Sequence, residues 1–141
     1  MTGIDFTTEH GARTLARLES EEVIWLTTVS AKGIPQPSPV WFLWQNDHFV
    51  IYSQPNTPKI RAIRANPNVA LNFNSSETGG NVAVFRGTAE IVGDDTPADG
   101  NDEYIAKYTI PLERLGYSPE QFAAEYSVLI RVTPTHLRGF E

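Results

Sequence analysis

The chain has 141 residues, of which 40% are hydrophobic, and a formal net charge of -6 at pH 7. This length and apolar content suit a single compact domain over residues 1–141 that buries its own core. The absence of cysteine excludes disulfides, thiolate metal sites and cysteine nucleophiles. The acidic balance argues against general nucleic-acid binding, because that activity needs many cations to neutralise phosphates.

The chain start, residues 1–5, has neither a basic region nor an apolar stretch of the kind found in leader segments. No later run of residues approaches the length and apolarity of a membrane span. We therefore expect a soluble, cytoplasmic protein that has no membrane partner.

The predicted elements begin with a short helix that is capped by Thr7 or Thr8 and ends near Ser20. Its apolar stripe is formed by Ala12, Leu15, Ala16 and Leu18. Six strands with short turns are predicted from alternation and turn residues, at 23–30, 34–45, 48–53, 69–74, 82–92 and 127–133. The tail, residues 134–141, is expected to be irregular.

Two further helices are predicted late in the chain, after a polar connector at residues 93–100. The first follows from the helical spacing of Tyr104, Ile105 and Tyr108, and the second from the cap Ser118 followed by Pro119. Together the elements predict a mainly β fold, a six-stranded antiparallel barrel that is closed or partly closed, with short flanking helices.

A predicted helix start at residues 57–64 carries only positive charge, from Lys59, Arg61 and Arg64. Since the amino terminus of a helix already carries partial positive charge, cations there are unfavourable unless an anion lies opposite. The free N–H groups of the first turn favour a phosphate. The alternative is a solvated face. Because Asp47 is the only acid between residues 23 and 76, the charge distribution favours an anion anchor.

Prolines occupy alternate positions of the second predicted strand, at Pro35, Pro37 and Pro39. All the missing N–H groups therefore lie on one side, which cannot carry a full hydrogen-bond ladder. The N–H groups between the prolines point the other way, where a ligand can approach the backbone. A sheet edge or a barrel corner is an equally good interpretation.

The run at residues 40–44 is apolar on both faces, whereas an exposed antiparallel strand has one polar face. A barrel interior can cover one face. For the other we expect a partner subunit or a flat ligand, the alternative being ordinary core and dimer interface.

The usual catalytic arrangements are absent from the sequence. The three histidines lie in separate segments without metal-ligand spacing, so no metal site is expected. There is no nucleophile elbow, no GxGxxG and no P-loop. An anion anchor beside apolar strands suits a cofactor that brings its own chemistry, and no catalytic residue is nominated.

Three segments together carry a resemblance to a known family: residues 52–54 (Tyr-Ser-Gln), 59–71 with its Asn-Pro, and 84–90 with its Gly-Thr-Ala. Over nearly the whole chain this order resembles the pyridoxamine-phosphate-oxidase-like, FMN-binding split-barrel superfamily. Within it, the chain is most similar to the small actinobacterial flavin/deazaflavin oxidoreductases that use coenzyme F420.

The resemblance implies a homodimer of split barrels with two cofactor sites at the subunit interface. It assigns the cofactor phosphate, and the polyglutamyl tail of F420, to Lys59, Arg61 and Arg64. It places Ser53 and Gln54 near the ribityl chain. The strand segment Ser38, Pro39, Val40 and Trp41 would face the tricyclic ring.

The function implied first is an oxidoreductase in which reduced F420 delivers a hydride to an electron-poor organic substrate, with a proton from a tyrosine, a histidine or solvent. FMN in the same fold is one alternative. A non-catalytic carrier of flavin, deazaflavin or haem is another. The carboxy-terminal substrate motif of pyridoxamine-phosphate oxidase is not found at residues 137–141, so that activity is not expected.

Overall fold

One antiparallel sheet forms the framework of the computed structural model, which describes residues 3–93 and 96–141. In chain order its strands are β1 (Val23–Val29), β2 (Pro35–Trp41), β3 (Leu43–Gln45), β4 (His48–Ser53), β5 (Asn68–Asn72), β6 (Val82–Val92) and β7 (Val128–Phe140). Their order across the sheet is β2-β1-β5-β6-β7-β4-β3. Asn46 and Asp47, both with positive φ, form the tight turn between β3 and β4.

The two edge strands of this sheet, β2 and β3, are separated in the chain by Phe42 alone. The sheet must therefore curl until its edges meet, which makes it a half-barrel and confirms the predicted mainly β, split-barrel class. The predicted continuous strand at 34–45 is wrong in one respect, because it breaks at Phe42. The Phe42 N–H donates to the Tyr108 hydroxyl (2.8 Å), and its carbonyl accepts from Lys107 Nζ (2.6 Å), so helical side chains replace a strand partner.

The alternating prolines lie on the edge strand β2, whose only partner in the sheet is β1. Pro35, Pro37 and Pro39 pair with Val29, Thr27 and Trp25 of β1. Because the prolines cannot donate, the donors available to β1 are the alternate N–H groups, including that of Ser38. The sheet-edge interpretation is confirmed, and the approach of a ligand to this backbone stays a prediction.

Four α-helices flank the sheet within the described residues: α1 (Glu9–Ser20), α2 (Pro58–Ala65), α3 (Asp102–Leu115) and α4 (Pro119–Glu125). A short 3-10 helix at Ala98–Gly100 lies in the predicted connector, of which residues 94 and 95 are outside the described residues. Ser118 caps α4 in a capping box with Gln121, as its sequence predicts. No helix in the described part of the chain is long and apolar enough to cross a membrane.

Helix α1 is capped by Thr8, whose side chain accepts from the Gly11 N–H, so the second of the two predicted caps is confirmed. The predicted stripe is partly wrong, since Ala12 and Ala16 are exposed. The buried residues are Gly11, Thr14 and Leu18. The reason is a close backbone approach: a Cβ at Gly11 would lie 2.4 Å from the Asp5 carbonyl oxygen.

The predicted irregular tail is wrong, because β7 continues to Phe140 and pairs with β6 along its whole length. The register shifts by one residue between Arg86 and Gly87, where Thr135 forms a bulge in β7. A Cβ at Gly87 would lie 2.3 Å from the Thr133 carbonyl oxygen, so the close approach of the strands requires glycine there. The long partner strand supplies hydrogen bonds that the tail's own pattern does not indicate.

Two apolar clusters lie on opposite sides of the sheet. The barrel cluster fills the interior and includes Phe42, Phe49 and Phe85. The helical cluster lies between the sheet and helices α3 and α4, and includes Leu43 and Tyr108, with Trp41 packed against it. The second face of residues 40–44 is thus covered largely by helices of the same chain, which corrects the expectation of a partner or ligand as its main cover.

Candidate cofactor-binding site

A cavity of about 460 Å³ opens beside the helical cluster. The sheet contributes Pro39, Val40 and Trp41 from β2, and Tyr52 and Ser53 from β4. Gln54, Thr57 and Lys59 contribute from the β4–α2 connection and the first turn of α2. The helical side contributes Tyr104, Leu115, Tyr117, Phe122 and Tyr126. The volume falls within the range of about 300–1,000 Å³ that is usual for small-molecule sites.

The structure brings most of the predicted site residues to this one cavity, namely Pro39, Val40, Trp41, Ser53, Gln54 and Lys59. Ser38 is next to the cavity in sequence but does not line it. Arg61 and Arg64 are exposed on α2, outside the cavity, and the Arg61 guanidinium donates to the Asn56 carbonyl oxygen at 2.6 Å. A contact of any of these residues with a cofactor stays a prediction.

The start of α2 combines several features that favour an anion. Lys59 is half-buried at the cavity wall, and burial lowers the pKa of its amine below the usual range. Within the described residues its ammonium has no hydrogen-bond or ion-pair partner at 4.0 Å or less. No acid lies in the first turn. Burial removes part of the hydration of the Lys59 amine, and a phosphate at this position would replace it with charged hydrogen bonds.

The cap position of α2 is also open to a ligand. Thr57 makes no side-chain cap bond, and its hydroxyl lies 3.3 Å from the hydroxyl of the buried Ser53. The Ser53 hydroxyl in turn donates to the Gln54 carbonyl oxygen at 2.9 Å. Two hydroxyls are therefore held at the cavity beside the Lys59 amine, a set of groups suited to phosphate oxygens.

Nearly parallel aromatic rings build one wall of the cavity. The Trp41 ring stacks on Tyr108 with centroids 4.5 Å apart and an 8° interplanar angle, and on Phe122 at 5.5 Å and 18°. Phe122 stacks on Tyr126 at 4.5 Å and 10°. The Tyr108 hydroxyl is bonded to the Phe42 backbone, so the Trp41 ring stacks on a fixed partner. Such a wall suits a flat ring system.

Two tyrosines of the cavity, Tyr104 and Tyr117, have a pKa above the ordinary value. Burial raises the pKa of Tyr104 far above its ordinary value. The Tyr117 hydroxyl donates to Glu125 Oε2 at 2.5 Å, and this bond raises the pKa of Tyr117 to about 12. The Tyr52 hydroxyl donates to the Thr96 carbonyl oxygen at 3.0 Å. The hydroxyls of Tyr52 and Tyr117 are thus held in fixed orientations, and Tyr104 and Tyr117 are weaker acids than an ordinary tyrosine.

Sequence reasoning missed the helical half of the site, especially Tyr104, Tyr117, Phe122 and Tyr126. The spacing of Phe122 and Tyr126 placed both on one side of a helix, which indicates packing. No local signal tells which part of a packed face borders a cavity. That distinction depends on how α3 and α4 lie over β2 and β4.

The sequence model of the family described as pyridoxamine 5'-phosphate oxidase matches residues 12–140. No functionally curated protein gives a significant match. A solved structure of an F420 reductase is 26% identical, with a TM-score of 0.65, and the match covers 87% of this chain and 94% of that one.

Two other solved structures share the fold at lower identity. The heme storage protein of Vibrio cholerae is 19% identical with a TM-score of 0.64, over 90% of this chain and 92% of that one. An FAD-binding protein of Mesorhizobium loti is 19% identical with a TM-score of 0.67, over 89% and 90%. The fold is thus shared by proteins described with three different cofactors.

Proposed function

Because this chain belongs to the pyridoxamine 5'-phosphate oxidase family of split-barrel proteins, we propose that it is an oxidoreductase that uses coenzyme F420 to reduce an electron-poor organic substrate. The observation that carries the proposal is the half-buried, unpaired Lys59 amine at the start of α2, on a cavity with a wall of parallel rings. The similarity to an F420 reductase supports the choice of cofactor.

The residues present fit the two halves of such a cofactor. The Lys59 amine and the hydroxyls of Ser53 and Thr57 would hold the phosphate. The Trp41 ring would lie against the flat ring system. Arg61 and Arg64 are exposed on the same helix, outside the cavity. They suit a ligand that continues past its phosphate, as the polyglutamyl tail of F420 does and FMN does not.

In this proposal the protein binds the cofactor and the substrate, orients them relative to each other and shields them from water. Held by Lys59, Ser53 and Thr57, reduced F420 would supply a hydride to an electron-poor carbon of the substrate and would itself be oxidised. The Trp41 and Phe122 rings would exclude water from one side of the reacting pair. Because Tyr104 and Tyr117 are weaker acids than usual, we assign the proton that completes the reduction to solvent.

A homodimer with the cofactor sites at the subunit interface is part of the same proposal. Val23 and Leu115 line the cavity and are 38% and 62% exposed, so its rim has apolar groups that a second copy would cover. Light scattering on the purified protein should give twice the monomer mass of 15.7 kDa. A monomer at micromolar concentration would contradict this part.

Separate titrations with F420, FMN and haem test the cofactor assignment. We expect saturable binding of F420, followed by its fluorescence. Replacing Arg61 and Arg64 together by alanine should weaken F420 and leave any FMN binding unchanged, because only the F420 tail reaches past the phosphate. Saturable binding of FMN with none of F420 would contradict the proposal and support the FMN alternative. Binding of haem alone would support the haem-carrier alternative.

Turnover separates an enzyme from a carrier. Reduced F420 should be reoxidised in the presence of enones or quinones faster with the protein than without it, under anaerobic conditions. F420 binding without any such acceleration across the panel would contradict the enzyme and support a passive carrier.

A further inference from the structure

An exposed carboxylate, that of Glu125, is bonded to two residues that line the cavity. Glu125 Oε1 accepts from Gln54 Nε2 at 2.9 Å, and Oε2 accepts from the Tyr117 hydroxyl at 2.5 Å. Both donors are neutral. No Lys, Arg or His of the described residues lies within 4.0 Å of this carboxylate. Its negative charge is thus held in place by neutral donors, on a solvent-exposed side chain.

The position of Glu125 in α4 adds to this charge. It is the last residue of the helix, where the backbone carbonyls carry partial negative charge, and the last turn contains no basic residue. An acid at a helix carboxy terminus is unfavourable unless a positive group lies opposite. The arrangement mirrors the cationic start of α2, with the opposite sign.

An open groove lies directly beside this carboxylate. Glu125 lines it together with Gly116, Gln121 and Ala124. Leu115 and Tyr117 line both this groove and the main cavity, so the two spaces share a wall. Gly116 ends α3 just before the shared residue Tyr117, in a left-handed conformation with a φ of 79°. The space on the side-chain side of Gly116 is open.

One aromatic ring, that of Tyr117, lines the groove, and it packs against the rings of Phe122 and Tyr126 in the main cavity. Tyr117 meets Phe122 edge-on with centroids 6.1 Å apart, and Tyr126 at 6.5 Å. The faces of such rings attract ammonium and other cationic groups, most strongly where water is excluded. The Glu125 carboxylate and the Tyr117 ring, joined by a hydrogen bond, are a suitable set for a positively charged group.

We propose that the groove between Tyr117, Gln121 and Glu125 binds a positively charged group of the substrate, and that Glu125 selects for that charge. The inference rests on the proposed function in naming the substrate class: a flat, electron-poor acceptor that carries an ammonium group. Its ring would enter the shared cavity, while its cation would stay in the groove. In a quinone of this kind the hydride and one solvent proton give the hydroquinone, and the cofactor is oxidised.

Binding without turnover provides the first test. The probes are phenylpropyl-trimethylammonium and phenylpropyl sulfonate, each titrated calorimetrically into the full-length protein. We expect the ammonium probe to bind about tenfold more tightly, and Glu125→Gln to abolish the preference. Glutamine keeps one acceptor oxygen, for the Gln54 amide, and its Nε2 can donate to the Tyr117 hydroxyl oxygen, so the fold should persist, which the urea midpoint checks. Glu113→Gln, an exposed acid outside the groove, is the matched control and should keep the preference.

Kinetics provide the second test, with two naphthoquinones that carry a trimethylammonium or a sulfonate side chain of equal length. Glu125→Gln should raise KM for the ammonium quinone about tenfold with kcat within twofold, because it removes binding rather than chemistry. Equal binding of both calorimetric probes, or a preference that survives Glu125→Gln, would overturn the groove proposal. If F420 binds and turns over in that case, the proposed function stands. If F420 does not bind but the charge preference follows Glu125, the cofactor assignment fails alone.

Discussion

The two apolar clusters of this molecule differ in chemistry as well as position. The barrel cluster consists of aliphatic and phenylalanine side chains, and Phe42, Phe49 and Phe85 are all 0% exposed. The helical cluster contains Tyr52, Tyr104 and Tyr108 and borders a cavity. Where packing is complete, the side chains stabilise the fold. Where the tyrosines of the helical cluster leave a cavity, the side chains that are buried there also form the wall of a candidate binding site.

The sharpest test of this difference compares one phenylalanine from each cluster. Phe49→Ala should lower the free energy of unfolding by about 3–5 kcal/mol, because it leaves a closed void in the barrel. Phe122→Ala, beside an existing cavity, should cost less, about 2 kcal/mol, yet should weaken ligand binding. Urea denaturation and F420 titration measure the two effects. Equal losses of stability in the two variants, with ligand binding unchanged in Phe122→Ala, would show that the two clusters do not differ in role.

The junction between the clusters contains a half-buried cation, Lys107, whose effect on stability depends on pH. The Lys107 ammonium lies 3.7 Å from the centre of the Phe42 ring. Burial lowers the pKa of Lys107 to about 8, and Glu22 and Glu21 oppose this shift only in part. Between about pH 8 and the ordinary value of 10.5, the unfolded chain therefore binds more protons than the folded one.

The stability of the protein relative to Lys107→Met should accordingly rise as the pH increases through this window. After allowance for the partial exposure of the amine, the expected gain is on the order of 1–2 kcal/mol. Urea unfolding of both proteins at pH 7.5, 9 and 10.5 measures the difference, and comparison with the variant cancels the titration of the tyrosines. Parallel pH profiles would show that the amine is not strained by burial.

The amino-terminal caps of helices α2 and α4 are expected to give the smallest changes in stability. Ser118 accepts from the Gln121 N–H in the capping box of α4, so Ser118→Ala should cost about 1 kcal/mol of stability. Thr57 makes no such bond, so Thr57→Ala should cost less than about 0.5 kcal/mol. Thermal or urea unfolding of the two variants tests the pair. A larger loss for Thr57→Ala would indicate that its hydroxyl has a structural role.

The features that the sequence predicts correctly are those that depend on residues adjacent in the chain. The caps Thr8 and Ser118, the proline-marked edge strand and the cationic start of α2 each depend on a few neighbouring positions. The charge pattern at a helix start is also local, and it nominates Lys59 as a site residue, which stays a prediction. The fold class followed from the spacing of strands and turns.

The features that the sequence does not predict depend on distant partners. The break at Phe42 is made by Tyr108, 66 positions away in the chain. The strand character of the tail comes from pairing with β6. Tyr117 and Tyr126 enter the site because α3 and α4 fold back over the sheet, which their own helical pattern does not specify. The link between Gln54 and Glu125 spans 71 positions.

The central claim, that the cavity beside Lys59 holds the phosphate end of a redox cofactor, is tested most directly by the F420 dissociation constant of three proteins. These are the unmodified chain, Lys59→Ala and the control Lys32→Ala, which changes an exposed lysine in the β1–β2 turn. Loss of one charged hydrogen bond predicts an affinity about 10- to 100-fold weaker for Lys59→Ala and an unchanged affinity for Lys32→Ala. The same dissociation constant for all three proteins would contradict the account.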